Sequence, residues 1–210
     1  VMCDAVEAAQ EICDDDWCIL VTLAHCEIIH PDDVHRIAEL GMYVDYSPHW
    51  AGDPIASTIP FFGKERWRNM HNFRPILDDG PLVGFSSDNI DTSGLTRTSP
   101  FLGMQIGMTR DEPFLPMDKS VYEDGCRPPA EAKFTLEELI NGYTMVNAKR
   151  MRLDHILGSI EVGKVANLVV LNEDIFECPI DQVAGIEPEY TYFEGKQLII
   201  PNPLDDLDFS

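Results

Sequence analysis

A chain of 210 residues, 44% hydrophobic and 25% charged, has an ordinary globular composition and is long enough for one large domain or a domain with an appendage. Its formal charge of −22, from 37 acids against 15 bases, excludes the basic footprint that nucleic acids and anionic membranes require, and reads as a solubility device. Apolar runs fall short of the roughly eighteen residues of a membrane span, and Val1-Met2-Cys3-Asp4 lacks the basic flank of a secretory leader, so the expected setting is the cytoplasm.

Small and apolar residues at 2, 5, 6, 8 and 9 predict a helix over 1–11 without a visible N-cap. The run Ile19-Leu20-Val21-Thr22-Leu23-Ala24 then predicts a strand buried on both faces, ending at His25. His30-Pro31-Asp32-Asp33 opens a helix with Val34, Ile37, Ala38 and Leu40 on its apolar face, and Gly41 stops it. A second strand over 42–49 follows and ends at His49, which makes a βαβ unit.

Trp50 to Phe62, rich in Gly, Pro and Ser, reads as a loop at the mouth of a site. A single helix is expected from about Lys64 to Leu77, with no strand between 50 and 81. The turn Asp79-Gly80 leads into a third strand, 82–88, ending at Asp88. Residues 100–110 suit a short helix and 111–130 irregular chain. Thr135 and Glu138 form a capping box for a helix reaching Arg150, with Leu136, Leu139, Ile140, Tyr143 and Val146 on its buried side. From Gly158 the texture turns to β, with strands at 168–171, 190–193 and 198–200 and a hairpin turn at Glu194-Gly195-Lys196.

Three strands thus deliver His25, His49 and Asp88 at their carboxyl ends, which is where parallel α/β barrels build their sites. Two imidazoles and a carboxylate suit zinc or a similar divalent ion. His30, His35, His71 and His155 are expected on the surface. The cysteines Cys3, Cys13, Cys18, Cys26, Cys126 and Cys178 hold no CxxC pair and are expected to be mostly buried and structural, Cys26 included. The acidic clusters 14–16 and 205–208 lack the spacing of a calcium loop.

The stretch from Ala24-His25-Cys26-Glu27 to Leu40-Gly41 closely resembles the amidohydrolase superfamily, nearest the branch of N-substituted formamide deformylase-like enzymes. Ser47-Pro48-His49-Trp50, Gly84-Phe85-Ser86-Ser87-Asp88, Gly142-Tyr143-Thr144, Gly158-Ser159-Ile160-Glu161-Val162-Gly163-Lys164 and Ala166-Asn167-Leu168-Val169-Val170-Leu171-Asn172 continue the likeness in order. It implies a (β/α)8 barrel with one or two metal ions at its mouth and a small β-sandwich. In that scheme His25 and His49 are metal ligands ending the fifth and sixth strands. Asp88 ends the eighth, binds metal and moves protons to and from the hydrolytic water.

The family's first-strand His-x-His pair has no counterpart here, Ala24 stands where Glu is common, Asn89-Ile90 follow the aspartate, and Asn167 replaces a usual Asp. The expectation is therefore α/β: the C-terminal half of a metal-dependent barrel over 1–157, followed by a β-sandwich segment over 158–210. The implied reaction is hydrolysis of a non-peptide C–N bond in a small amide or formamide-like substrate. The implied partner is an N-terminal half-barrel or a further copy. The alternatives are a non-catalytic half-barrel acting as an assembly module, and a ring deaminase of the same superfamily.

Overall fold

The small and apolar residues of the first turns form α1 (Met2–Cys13), which buries Cys3 and Val6 and has no side-chain cap at Val1. The computed structural model describes residues 1–52, 58–89, 98–115, 117–118, 120–122 and 124–199. After α1 come β1 (Thr22–Ala24), α2 (Arg36–Glu39) and β2 (Tyr43–Tyr46). The third strand, β3 (Val83–Phe85), is preceded by three short helices, α3 (Ile59–Phe62), α4 (Lys64–Arg68) and α5 (Arg74–Asp78).

The three strands are parallel and lie in chain order. Leu23, Val44 and Val83 stand in register on one face; Ala24, Asp45 and Gly84 stand in register on the other. The first face meets the main core, in which Val44, Tyr46, Val83 and Phe85 pack with Phe73, Phe134 and Leu139. Tyr46 lies 4.1 Å from Phe73, centroid to centroid, and Phe85 meets Phe134 edge-on at 5.0 Å.

The strand at 19–25 is shorter than expected, and it is not buried on both faces. Thr22 and Ala24 are exposed, because β1 is an edge strand with no neighbour beyond it among the described residues. β3 pairs directly with β2. The expected absence of a strand between them holds for the described residues, so β3 is the next strand in this sheet rather than the second next. The expected helix over 64–77 is interrupted at 69–73, where His71 takes a left-handed φ of 57°.

Helix α6 (Pro100–Thr109) is buried almost throughout and closes on the left-handed Arg110. The capping box is present as expected: Thr135 Oγ1 accepts from the Glu138 amide at 3.2 Å, and Glu138 Oε2 accepts from the Thr135 amide at 2.8 Å. It starts α7 (Leu136–Asn141), which continues through a π-helical turn (Gly142–Val146) into α8 (Asn147–Arg150). The wider turn lets this helix press on β3. A Cβ on Gly142 would overlap the Phe85 ring, and Asn147 Nδ2 donates to the Phe85 carbonyl at 2.9 Å.

The tail is β-structure as expected, β4 (Leu168–Leu171), β5 (Pro188–Phe193) and β6 (Lys196–Leu198) forming one antiparallel sheet, but β6 begins two residues before the expected 198–200, because the turn takes only Glu194-Gly195 and Lys196 already pairs with Phe193. It is a single sheet; no second sheet covers it among the described residues, and Val169 and Val170, on opposite faces, are both exposed. The link between β4 and β5 returns to the core, where Ile175, Val183 and Ile186 are buried and the Ala184 amide donates to Gln105 Oε1 at 2.7 Å. Ile200 and the acidic cluster at 205–208 lie outside the described residues. Among the described residues no helix is long and apolar enough to cross a membrane.

Candidate active site

Parallel pairing puts the carboxyl ends of all three strands on one rim, and the chain turns sharply as it leaves each of them. His25, just past β1, has φ 67°, and Asp88, three residues past β3, has φ 50°. Neither is a glycine, and holding such residues in the left-handed region costs on the order of 1 kcal/mol or more each. The turns are held by backbone bonds: the His25 amide donates to the Asp45 carbonyl at 2.8 Å, and the Ser86 amide donates to the Tyr46 carbonyl at 3.0 Å. Ser47 Oγ also donates to the Ser87 carbonyl at 3.1 Å, tying the β2 and β3 exits together.

The result is a reach across the end of β2. His25 Nδ1 comes to 3.9 Å from Asp88 Oδ2. Trp50 joins them, its Nε1–H donating to the same carboxylate oxygen at 2.9 Å. His25 is half exposed and Asp88 about a third exposed, so solvent and small solutes reach both.

His49 is placed differently. It is not at a strand end but inside a 3-10 segment, Pro48–Gly52, and is 1% exposed. Its Nε2 faces the Ser99 carbonyl at 3.2 Å and its Nδ1 lies 3.1 Å from Ser47 Oγ. A nitrogen that faces a carbonyl carries its hydrogen there and offers no lone pair to a metal. Among the described residues no group of three or more His, Cys, Asp or Glu is placed to hold an ion. The structure therefore brings His25 and Asp88 together and leaves His49 packed toward α6, where its Cε1 abuts Gly103.

The donor pair itself suits a divalent ion. Ligands at about 2.0–2.2 Å from one centre lie up to roughly 4 Å apart, and an imidazole with a carboxylate is a common zinc set. A cavity of about 410 Å³ lined by Asp111, Glu112, Phe114, Leu115, Met117 and Tyr122 includes none of the three candidate residues.

Two residues near the rim escaped the sequence reading. Trp50 follows His49 directly, and its contact with Asp88 depends on a long-range fold, so adjacency to a candidate ligand was its only signal. His71 was expected on the surface and is instead 3% exposed. Its amide donates to the Glu27 carbonyl at 2.8 Å and its ring lies 5.6 Å from that of Tyr46. Burial, together with Arg127 and Arg110, pushes its pKa well below the usual histidine value, so it is neutral.

Arg110 is itself buried, with its guanidinium on the carbonyls of Met70, His71, Arg127 and Pro128; burial lowers its pKa to about 10. His30, His35 and His155 are exposed as expected. All six cysteines are free, but only Cys3 and Cys126 are fully buried, which corrects the expectation that most would be. Cys26 is packed against the core, and burial raises its thiol to about 11, in keeping with a structural role.

The model of the amidohydrolase family matches residues 2–199. The Bacillus subtilis (strain 168) protein YtcJ, which carries an amidohydrolase name, is 24% identical over 174 residues, 83% of this chain and 31% of that protein. An amidohydrolase from Thermotoga maritima MSB8 superposes with a TM-score of 0.54 at 18% identity, over 93% of this chain and 41% of its own. An uncharacterized metal-dependent hydrolase from Pyrococcus horikoshii OT3 gives 0.55 at 17% identity, over 77% and 30%. An adenosine deaminase from Xanthomonas campestris with bound zinc gives 0.54 at 15%, over 89% and 38%. At such identities the solved structures share the fold, and this chain spans 30 to 41% of their length. Because the family match runs nearly from end to end, this chain belongs to the amidohydrolase family.

Proposed function

We propose that the chain carries part of the site of a metal-dependent hydrolase that cleaves a non-peptide C–N bond in a small amide, with formamides of the deformylase-like branch as the first substrates to try. The observation that carries this reading is the approach of His25 to Asp88 at 3.9 Å from two different strand ends, both on left-handed backbone. A divalent ion, zinc first, would lower the pKa of a bound water toward about 7 and polarise the amide carbonyl. His25 and Asp88 are the residues to hold it. His49 is the third ligand in this reading once its Nε2 leaves the Ser99 carbonyl. Asp88 supplies the acid–base function, taking the water's proton and passing it to the leaving nitrogen.

The architecture in this reading is half of a (β/α)8 barrel over 1–157, with 158–210 forming part of a β-sandwich. The chain covers only 31% of YtcJ, and the exposed β1 edge and exposed apolar residues on both faces of the β4–β6 sheet favour pairing with the missing strands. That same feature favours the second reading, a non-catalytic half-barrel that serves assembly alone.

Calorimetric titration of zinc into the 210-residue chain, with His25→Ala and Asp88→Asn beside it, tests the first reading. Binding lost in both variants is expected, together with little hydrolysis of a simple formamide by the chain alone. Zinc binding unchanged in both variants refutes the assignment. Wild-type chain that ignores zinc but pairs stably on size exclusion favours the assembly module.

A further inference from the structure

We infer that Trp50 is the positioning residue for Asp88, its indole N–H fixing which carboxylate oxygen points at His25; this rests on the proposed reading of the site. Asp88 is itself left-handed, with φ 50°, and its side chain is about a third exposed, so solvent covers part of the carboxylate. A donor from β2's exit reaches it. Trp50 Nε1 lies 2.9 Å from Oδ2, the same oxygen that stands 3.9 Å from His25 Nδ1.

The donor comes from a rigid support. Trp50 sits in the 3-10 segment Pro48–Gly52, whose Pro48, His49, Ala51 and Gly52 are all buried. The Trp50 amide donates to the Ser47 carbonyl at 3.2 Å, and Ser47 is bound in turn to the Ser87 carbonyl next to Asp88. Ser47 and Trp50 thus grip the β3 exit twice, once on its backbone and once on its carboxylate. An indole suits the second grip because it only donates, so it holds a carboxylate without competing for its proton.

Trp50 is also 39% exposed, which leaves part of its ring on the rim where a substrate would enter. Neutral donors that orient metal-ligating carboxylates are worth about 10–100-fold in metal affinity. That is the size of effect assigned to Trp50.

The test uses the whole chain with its three tryptophans labelled at the indole nitrogen, the Trp50 signal being identified by its loss in Trp50→Phe. Asp88→Gly removes the carboxylate while keeping the left-handed backbone free of strain. It is expected to move the Trp50 Nε1–H signal and to leave those of Trp17 and Trp67 in place. Zinc is expected to move the same signal in the wild type. Trp50→Phe should weaken zinc binding about 10–100-fold without altering the far-UV circular dichroism, and Trp50→Gln, which restores an N–H donor, should recover part of the loss.

A Trp50 signal indifferent to Asp88→Gly overturns the positioning role, as does equal zinc affinity in wild type and Trp50→Phe. Wild-type chain that binds no zinc overturns the metal reading instead. In that case the indole signal alone still decides whether Trp50 holds Asp88.

Discussion

Lowering the pH from 7 to 5.5 should destabilise this protein through one buried side chain. His71 is 3% exposed and is faced by the Arg110 and Arg127 guanidiniums and by the ring of Tyr46, whose hydroxyl pKa is raised by burial. The two guanidiniums oppose a third positive charge, and burial is the largest cause of its lowered pKa. In the unfolded chain the same imidazole titrates near 6.5. Between these two values the unfolded state binds a proton that the folded state refuses, so stability is intact above the unfolded pKa and falls as pH falls below it.

Where the folded imidazole stays neutral over this range, the loss from pH 7 to 5.5 is about 1.3 kcal/mol. That is a sizeable part of a typical folding free energy of roughly 5–15 kcal/mol. In urea it moves the midpoint by roughly 0.4–1.3 M. The assay is urea unfolding at pH 7.0, 6.5, 6.0 and 5.5 for the wild type and for His71→Asn, since asparagine tolerates the left-handed backbone at this position. The variant's own cost cancels when the two pH slopes are compared. Wild type should lose about 1.3 kcal/mol more than the variant over this range. Parallel slopes would refute the reasoning, because they would mean that His71 takes up its proton as readily in the folded protein as in the unfolded chain.

Other perturbations follow from the same packing. Glu138→Ala removes the side-chain half of the capping box, leaving the Thr135 Oγ1 bond to the amide of residue 138, together with the paired bonds from Arg74 at 2.6 and 2.9 Å. It should cost about 1 kcal/mol, because the Thr135 cap survives and the ion pair is more than a quarter exposed and solvent-screened. Glu138→Gln should keep most of that stability. The Arg74 guanidinium also holds the Glu138 carboxyl below its ordinary value, so this contribution is present above the unfolded carboxyl pKa and disappears as pH falls through the folded one, as thermal melts from pH 7 to 3 would show. Gly142→Ala places a methyl on the Phe85 ring and 2.9 Å from the Val83 carbonyl, and should lower Tm by about 2–12 °C; an unchanged Tm would show that the π-helical turn has slack.

The local sequence settled whatever short-range chemistry settles. Thr135 and Glu138 are three residues apart, so their mutual capping is written in the chain, and it forms as read. Gly41 ends its helix with φ 65° and Gly195 turns its hairpin with φ 75°, because this backbone freedom is a property of glycine itself. The order of the apolar runs also determined a parallel sheet followed by an antiparallel one.

What failed depends on partners distant in the chain. An apolar run such as 19–24 reveals its hydrophobicity but not whether a neighbour covers it, and as an edge strand it is left half exposed. His71 carries no local mark of burial, since the groups that enclose it come from β2 and from the chain around Arg110 and Arg127, decades of residues away. The candidate site divides in the same way. His25 and Asp88 were legible as polar residues closing apolar strands, and parallel pairing alone suffices to bring them to one rim. His49 was legible in type but not in direction, because only the packing of α6 against the Pro48–Gly52 segment sets its ring toward Ser99. Trp50 acquires its role only where the exits of β2 and β3 meet, since a hydrogen bond across 38 residues exists in the fold and nowhere in the sequence.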